Sequence, residues 1–572
     1  MSKYLLLLSF ISSGIFVFGQ QKPGDEETIM LTAIRKIPTA TRIPTAPSII
    51  DTVIPQSEVQ YPLLSLKYNT LIRLDTIAPA TVKLIDKLPQ LYSTYVKVGI
   101  GSTFMPLGEV YYNNMRSRKY MYGASLKHLS SFGNINGYAP AQFDRTALNL
   151  NGGLNEKKYT LRGEFVLNNR GLHWYGFPNE NADRDSIQNR FNEVGTRLSF
   201  ASHQKDSAHL NYKVGIEYFN FHSKKSKIDS LATWRGRENY LAVTSSFWYQ
   251  LGKEVFAADF NIRYNGYKYG EKDAGITSLD TGIVSNNTVV NLKPTITTFA
   301  FDNKLKAQVG LDITIDAAAK TKFYLYPIAE VKYAMFDDIL IPYAGIKGSL
   351  KQNTFRSMSF DNEFILSNQQ LQNESNAINA FVGIKGTLTK RIAFNASASF
   401  SNHKGKMLFV TDTVYAKGRN QFRAIYDTMN ITTLEGSISY QLAEKLKIDG
   451  IGRFFSYNTR NESYAWNLPQ LQILVRGTYN LYDKFLVRLE MNYEGGRRGL
   501  VFEQEENTVF ENGQYAKKMG FIADVNLGVE YRYNKRISAF LEFNNLAAQR
   551  YQRWYHYPVQ GFQVMGGVTF RF

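Results

Sequence analysis

Phe521-Ile522-Ala523-Asp524-Val525-Asn526-Leu527-Gly528-Val529-Glu530-Tyr531-Arg532-Tyr533 is the stretch on which the fold turns. Phe521, Ala523, Val525, Leu527, Val529, Tyr531 and Tyr533 point to one side of an extended chain, and Ile522, Asp524, Asn526, Gly528, Glu530 and Arg532 to the other. That period of two belongs to a strand; a helix would repeat its apolar residues at spacings of three and four. The pattern recurs. Phe485, Val487, Leu489, Met491 and Tyr493 alternate with Leu486, Arg488, Glu490, Asn492 and Glu494. Phe256, Ala258, Phe260, Ile262 and Tyr264 alternate with Asp259, Asn261, Arg263 and Asn265.

A soluble sandwich also alternates, so the connections have to decide. Tight polar turns at 155–158, 252–254, 302–304, 389–391, 444–445, 482–484 and 534–536 interleave with long connections. The long ones are 129–142, 170–190, 223–236, 268–284, 351–374, 459–466, 495–518 and 547–560. Short turns on one rim and long loops on the other characterise an outer-membrane barrel, with the short side in the periplasm. Residues 93–572 are therefore expected to form an all-β transmembrane antiparallel barrel of about 22 strands. Segments 104–106 and 403–420 read either as strand or as connection. The count must be even if both ends of the barrel lie on one side.

Composition agrees. The chain has 572 residues, 14% aromatic, with 42 glycines, no cysteine and a mean hydropathy of −0.30. A wall that shows half its side chains to lipid and half to water keeps hydropathy low while aromatics run high. The net charge of +18 accompanies no nucleic-acid motif and suits a surface beside anionic headgroups.

The N-terminus reads differently. Lys3 precedes an apolar run over residues 4–18, and Val17 and Gly19 are small enough to flank a cleavage site, so 1–19 is expected to be a cleaved signal peptide. Residues 20–92 form a Pro/Thr-rich segment holding Pro23, Pro38, Pro44, Pro47, Pro55, Pro62, Pro79 and Pro89. Prolines this dense break ladders and helices, which points to an irregular periplasmic segment or partial plug.

The last residues, 562–572, alternate again and end Gly567-Val568-Thr569-Phe570-Arg571-Phe572. Gly567, Phe570 and Phe572 resemble the terminal signal read by the barrel-assembly machinery. An unpaired amphipathic edge strand would template closure there and leave no edge afterwards.

The closing hairpin carries a family resemblance. Ile537-Ser538-Ala539-Phe540-Leu541-Glu542-Phe543-Asn544-Asn545-Leu546, then Arg550-Tyr551, then Tyr557-Pro558-Val559-Gln560-Gly561, resembles the end of TonB-dependent receptor barrels. The chain as a whole resembles plugless relatives of that family from the Bacteroidetes. Glu26-Glu27-Thr28-Ile29-Met30-Leu31-Thr32-Ala33 resembles the family's energy-coupling box, with Thr28, Ile29, Met30, Leu31 and Thr32 at its centre. The resemblance implies solute passage and a TonB-like partner or an envelope lipoprotein, besides outer-membrane lipid and lipopolysaccharide. Residues 21–92 are too few and too proline-rich for the family's globular plug, so energised uptake is not carried over.

Sites are sparse. His128, His173, His203, His209, His222, His403 and His556 show no metal-ligand spacing, no phosphate cradle is present, and no catalytic residue or cofactor is expected. His128 with Ser130 reads as the start of a loop rather than as a hydrolase pair. Asp259, Arg263, Lys385, Arg476, Arg488, Glu490, Asp524, Glu530, Arg532 and Glu542 fall on the non-lipid side of the alternation and are expected to line the lumen. Facing lipid near the midplane, a basic one would cost about 2–4 kcal/mol. Trp174, Tyr175, Phe177, Trp234, Trp554, Tyr555 and Tyr557 place aromatics in the long connections, suited to loop packing or to gripping a ligand. Two functions remain: a receptor-like channel, or a non-conducting scaffold subunit of an assembly or secretion complex.

Overall fold

A computed structural model describes residues 91–204, 209–224, 226–229, 232–269, 284–413, 419–504 and 506–572. The expected signal peptide (1–19), the Pro/Thr-rich segment as far as residue 90 and the coupling box (28–32) lie outside the described residues. Within them, 22 antiparallel strands form one sheet. It closes on itself where the first strand, Thr94–Gly101, pairs with the last, Gln563–Arg571. Closure leaves no edge strand, which a wall in lipid requires.

The ambiguous segments resolve simply. Phe104 belongs to a tight turn and has a positive φ of 52°, and the second strand starts at Met105. Strand Ile392–Thr411 runs straight through 403, with a bulge between His403 and Lys406. His128 sits inside strand Tyr120–Ser131, not at the start of a loop, because pairing with Phe143–Asn155 carries the ladder to Ser131. Its Nδ1 meets Thr146 Oγ1 at 2.8 Å, and no chemistry with Ser130 is assembled.

The short-turn rim is built by residues that tolerate left-handed backbone. Asp302 and Asn303 have φ of 54° and 67°, and Asp337 and Asp338 have 52° and 67°. Turns of this hand match the right-handed twist of the strands they join, and short polar side chains reduce the cost. At the other rim the ladders run on. Strand Phe422–Leu442 has 21 residues, about twice the 9–11 that cross a bilayer, so that wall stands well clear of the membrane. The strands at and beside the seam are the shortest of the barrel, with eight residues in Thr94–Gly101 and Ile537–Asn544 and nine in Met105–Asn113 and Gln563–Arg571.

Alternation becomes two surfaces. Ile100, Leu198, Leu325, Val382, Leu434 and Leu541 are exposed on the outer face. Large apolar side chains in such number on an outer surface are stable only against lipid.

Candidate functional site

The inner wall carries charge in register. Arg488 lies 2.9 Å from Glu530, and Arg571 lies 3.3 Å from the same carboxylate. Arg532 is 3.6 Å from Glu530, and Arg476 meets Glu490 at 3.1 Å on the adjoining pair of strands. Glu542 takes Lys97 across the seam strand at 2.7 Å. Asp524 accepts the Tyr551 hydroxyl from a long loop at 3.1 Å. Asp259 is the cross-strand partner of Lys293, which itself reaches Asp312 at 3.1 Å. Lys385 faces Asn395, and the Arg263 carbonyl accepts Gln352 Nε2 at 3.5 Å. Seven of the ten charges singled out in the sequence thus meet in ion pairs or loop contacts around residues 476–571. Asp259, Arg263 and Lys385 stand on other strands.

Several members of this lining were not singled out from the sequence. Lys97 and Arg571 complete the Glu542 and Glu530 clusters, Arg453 meets Glu435 at 2.6 Å, and Arg197 bridges Glu164 and Glu217 at 2.6 and 2.9 Å. Counting alternate residues along each strand would have found them. The more exposed pairs, those of Arg197, add little stability each; together with the buried ones they give the wall a polar, mixed-sign surface.

The second component is a lid. Residues 352–373 join strand Ile341–Lys351 to Glu374–Thr389 at the long-loop rim, and they fold inward instead of out. A short helix, Phe355–Asp361, opens this segment, capped by a reciprocal pair of contacts between Thr354 and Ser357. Glu238, fully buried on strand Gly236–Leu251, accepts the backbone N–H groups of Phe355 and Arg356 at 2.8 Å each. Arg356 Nη2 reaches Glu193 at 2.7 Å. Arg170 donates to the Ser359 carbonyl at 3.1 Å and its hydroxyl at 2.8 Å, and Arg145 meets Glu363 at 3.0 Å. Tyr267 donates to the Ser367 carbonyl and accepts Gln369 N–H at 3.0 Å. Ile365 forms a bridge with Phe422, on the far side of the segment. Arg145 and Phe422 belong to strands far apart in the sheet order, and one segment can touch both only by crossing the lumen.

Apolar packing seats the lid. Phe355, Met358 and Ile365 have no exposed surface, among Phe191, Phe221, Tyr267 and Phe422. Phe355 meets Phe221 and Tyr267 at ring distances of 5.5 and 5.4 Å. The sequence's loop aromatics join the same cluster. Tyr557 stacks on Phe364 at 3.7 Å and meets Tyr175 edge-on at 4.9 Å, while Trp554 contacts Phe409 and Phe422 at 5.4 and 5.7 Å. Trp174 and Tyr555 are buried and Phe177 is half-buried, so these residues pack loop against loop. The side chain of Trp234 lies outside the described residues. Burial pushes the Tyr557 hydroxyl well above its ordinary range, and it donates to the Asn420 carbonyl. Arg497 pins two loops by donating to the Arg553 and Gly520 carbonyls at 2.8 and 3.1 Å. Burial lowers its guanidinium to about 10, which leaves it charged at neutral pH. No group of three or more metal-binding side chains occurs among the described residues.

Glu238 is the contact whose removal should be felt first. In Glu238→Gln one acceptor oxygen becomes an NH2 facing a backbone N–H, a loss of about 1–3 kcal/mol for a buried unpaired donor. A cysteine placed at Met358 should then react faster with a small thiol reagent than in the parent. An unchanged rate would show that the latch lies elsewhere.

No known family pattern matches the chain, and no curated protein matches it. Solved structures do. The iron transporter FrpB from Neisseria meningitidis superposes with a TM-score of 0.62 at 11% identity, over 85% of this chain and 82% of that one. The siderophore receptor PirA from Acinetobacter baumannii gives 0.62 at 12% identity, over 85% and 81%. The ferripyoverdine receptor of the outer membrane of Pseudomonas aeruginosa gives 0.60 at 13% identity, over 85% and 72%. The likeness is one of fold. It covers the 22-stranded wall, and at this identity it carries no residue of those proteins' sites onto this chain.

Proposed function

We propose that the chain is a receptor-like outer-membrane channel, its short turns in the periplasm and its long loops outside, passing a polar solute through a lumen that it closes itself. The observation that carries this reading is the lid 352–373, folded across a charged inner wall and held there by Glu238, Glu193, Arg145 and Arg170. A 22-stranded barrel without closure would be a wide leak. The lid removes that difficulty without requiring the family's plug, and the mixed-sign lining gives a hydrated path rather than an apolar one. Delivery by the barrel-assembly machinery through Gly567, Phe570 and Phe572, and pairing with a TonB-like or lipoprotein partner, belong to the same proposal.

The test is solute flux into proteoliposomes containing the full chain or the doubly unlatched Glu193→Gln/Glu238→Gln variant. The expected result is faster swelling in a small neutral sugar for the unlatched barrel. If neither that variant nor a barrel lacking the lid passes any solute, the transport reading falls and the scaffold reading replaces it.

A further inference from the structure

Phe360 is out of place for a residue whose task is to hold a lid. Its neighbours Met358 and Ser359 have no exposed surface, yet half of Phe360 is exposed, at 50%. Two guanidinium groups flank it, with Arg170 Cζ 3.9 Å and Arg356 Cζ 5.1 Å from the ring centre. Arg356 lies toward the short-turn end of the lid. It reaches Glu193 and covers Phe219 at 4.6 Å, whereas Phe355 packs on Phe191 and Phe221, which stand two residues nearer the long-loop rim on the same strands.

One guanidinium beside this ring, that of Arg170, hydrogen-bonds only uncharged groups. Arg145 and Arg170 are direct cross-strand partners, an arrangement that repels. Arg145 is paired with Glu363 and Arg356 with Glu193. Arg170 donates to the carbonyl and hydroxyl of Ser359, neither of which carries charge. Three guanidiniums therefore meet two carboxylates through their side chains; a third carboxylate, Glu238, has no exposed surface and is taken up by the backbone N–H groups of Phe355 and Arg356. Arg145 and Arg356 keep side-chain exposures of 29% and 28%, so both are within reach of a solute.

We infer that the inner side of the lid, formed by Phe360, Arg170, Arg356 and Arg145, binds a planar anionic solute that reaches it through the lumen. A flat conjugated group would lie against the exposed part of the Phe360 ring, and its acidic groups would take the donors that the carboxylates leave free. Guanidinium suits this role because it both stacks on aromatic faces and forks onto carboxylate, sulfonate or phosphate oxygens. A clamp alone would bury the ring; a half-exposed ring beside an arginine that hydrogen-bonds only uncharged groups is the arrangement of a ligand subsite. The inference rests on the channel reading, since the solute must enter the lumen, and it narrows that reading to a solute class.

The experiment is a titration of the detergent-purified full chain with pyrenetetrasulfonate, followed by pyrene anisotropy. Inorganic sulfate serves as a non-planar anion and ethidium as a planar cation. The wild type should bind the pyrene, bind sulfate far more weakly, and ignore ethidium. Arg170→Gln should weaken pyrene binding by about tenfold or more, the loss of a charge-assisted contact. Phe360→Ala, which removes little packing from a half-exposed site, should weaken it while leaving sulfate unchanged. A folded barrel is confirmed for each variant by its gel shift on heating. The inference is overturned if both variants bind the pyrene as the wild type does, or if ethidium binds equally well. Binding without flux would retain this site and remove the channel reading; flux without binding would do the reverse.

Discussion

Excision of residues 353–372, with Lys351 and Glu374 rejoined through a short glycine-containing turn, is expected to turn a silent barrel into a conducting one. Single-channel conductance in a planar bilayer should rise by more than about tenfold, because a lumen of this strand number is wide once its contents are removed. The fold should survive the operation. Lys351 and Glu374 already face each other as cross-strand partners, so a tight hairpin can replace the lid without disturbing any ladder. The cost is confined to the inner surface, where Phe191, Phe221 and Tyr267 lose the cover of Phe355, Met358 and Ile365. Each of those buried side chains is worth about 1.5–3 kcal/mol, so the seated lid opens rarely by thermal motion alone. Opening then needs an input, from a bound solute or a partner. An excised barrel that stays silent would show that the lid is not the seal, and the transport reading would fall with it.

The second large effect is expected at the seam. Gly567 pairs with Gly99, and a Cβ placed on Gly567 would fall 2.1 Å from the Val98 carbonyl oxygen and 2.6 Å from Gly99 Cα. Backbone atoms on the partner strand cannot step aside as a side chain would, and Phe540 closes the remaining direction at 2.6 Å. Gly567→Ala should therefore cost about 3 kcal/mol or more, the upper end for overpacking, and should block registration of the last strand against the first. The expected result is loss of the heat-shifted folded band on gels. Gly436→Ala is the control: it lies within strand Phe422–Leu442, nothing stands within 4 Å of its added Cβ, and folding should proceed. If Gly567→Ala folds as well as that control, the terminal glycine serves recognition alone and not closure. The glycine noticed in the sequence as part of an assembly signal thus has a packing reason of its own.

Much of the wall was legible because its grammar is local. Alternation over 521–533 or 485–494 assigns each side chain to a face whatever lies next to the strand, and turn residues such as Asp302 and Asn303 mark where the chain reverses. The same parity separates Arg488, Glu490 and Glu530 from Val487, Leu489 and Val529. It cannot say that Arg488 and Arg571 share one carboxylate, since that depends on the registers of separate strand pairs and on closure between residues far apart in the chain. The stretch at 403–420 reads both ways in the sequence for a related reason: a bulge at His403/Lys406 interrupts the period of two without ending the strand.

The amino-acid sequence by itself determined that this chain builds a closed wall of about 22 strands, because the two-residue period acts within each strand alone. Only the tertiary structure decided that one long connection turns inward. Phe355, Met358, Phe364 and Ile365 were apolar residues in a stretch read only as a long connection, and local patterning does not say which surface will cover them. The choice was made by partners such as Arg145, 218 residues from Glu363, and Glu238, 117 residues from Phe355. Those residues come within reach only after the sheet has curved round to its first strand, so the lid is a property of closure rather than of any segment.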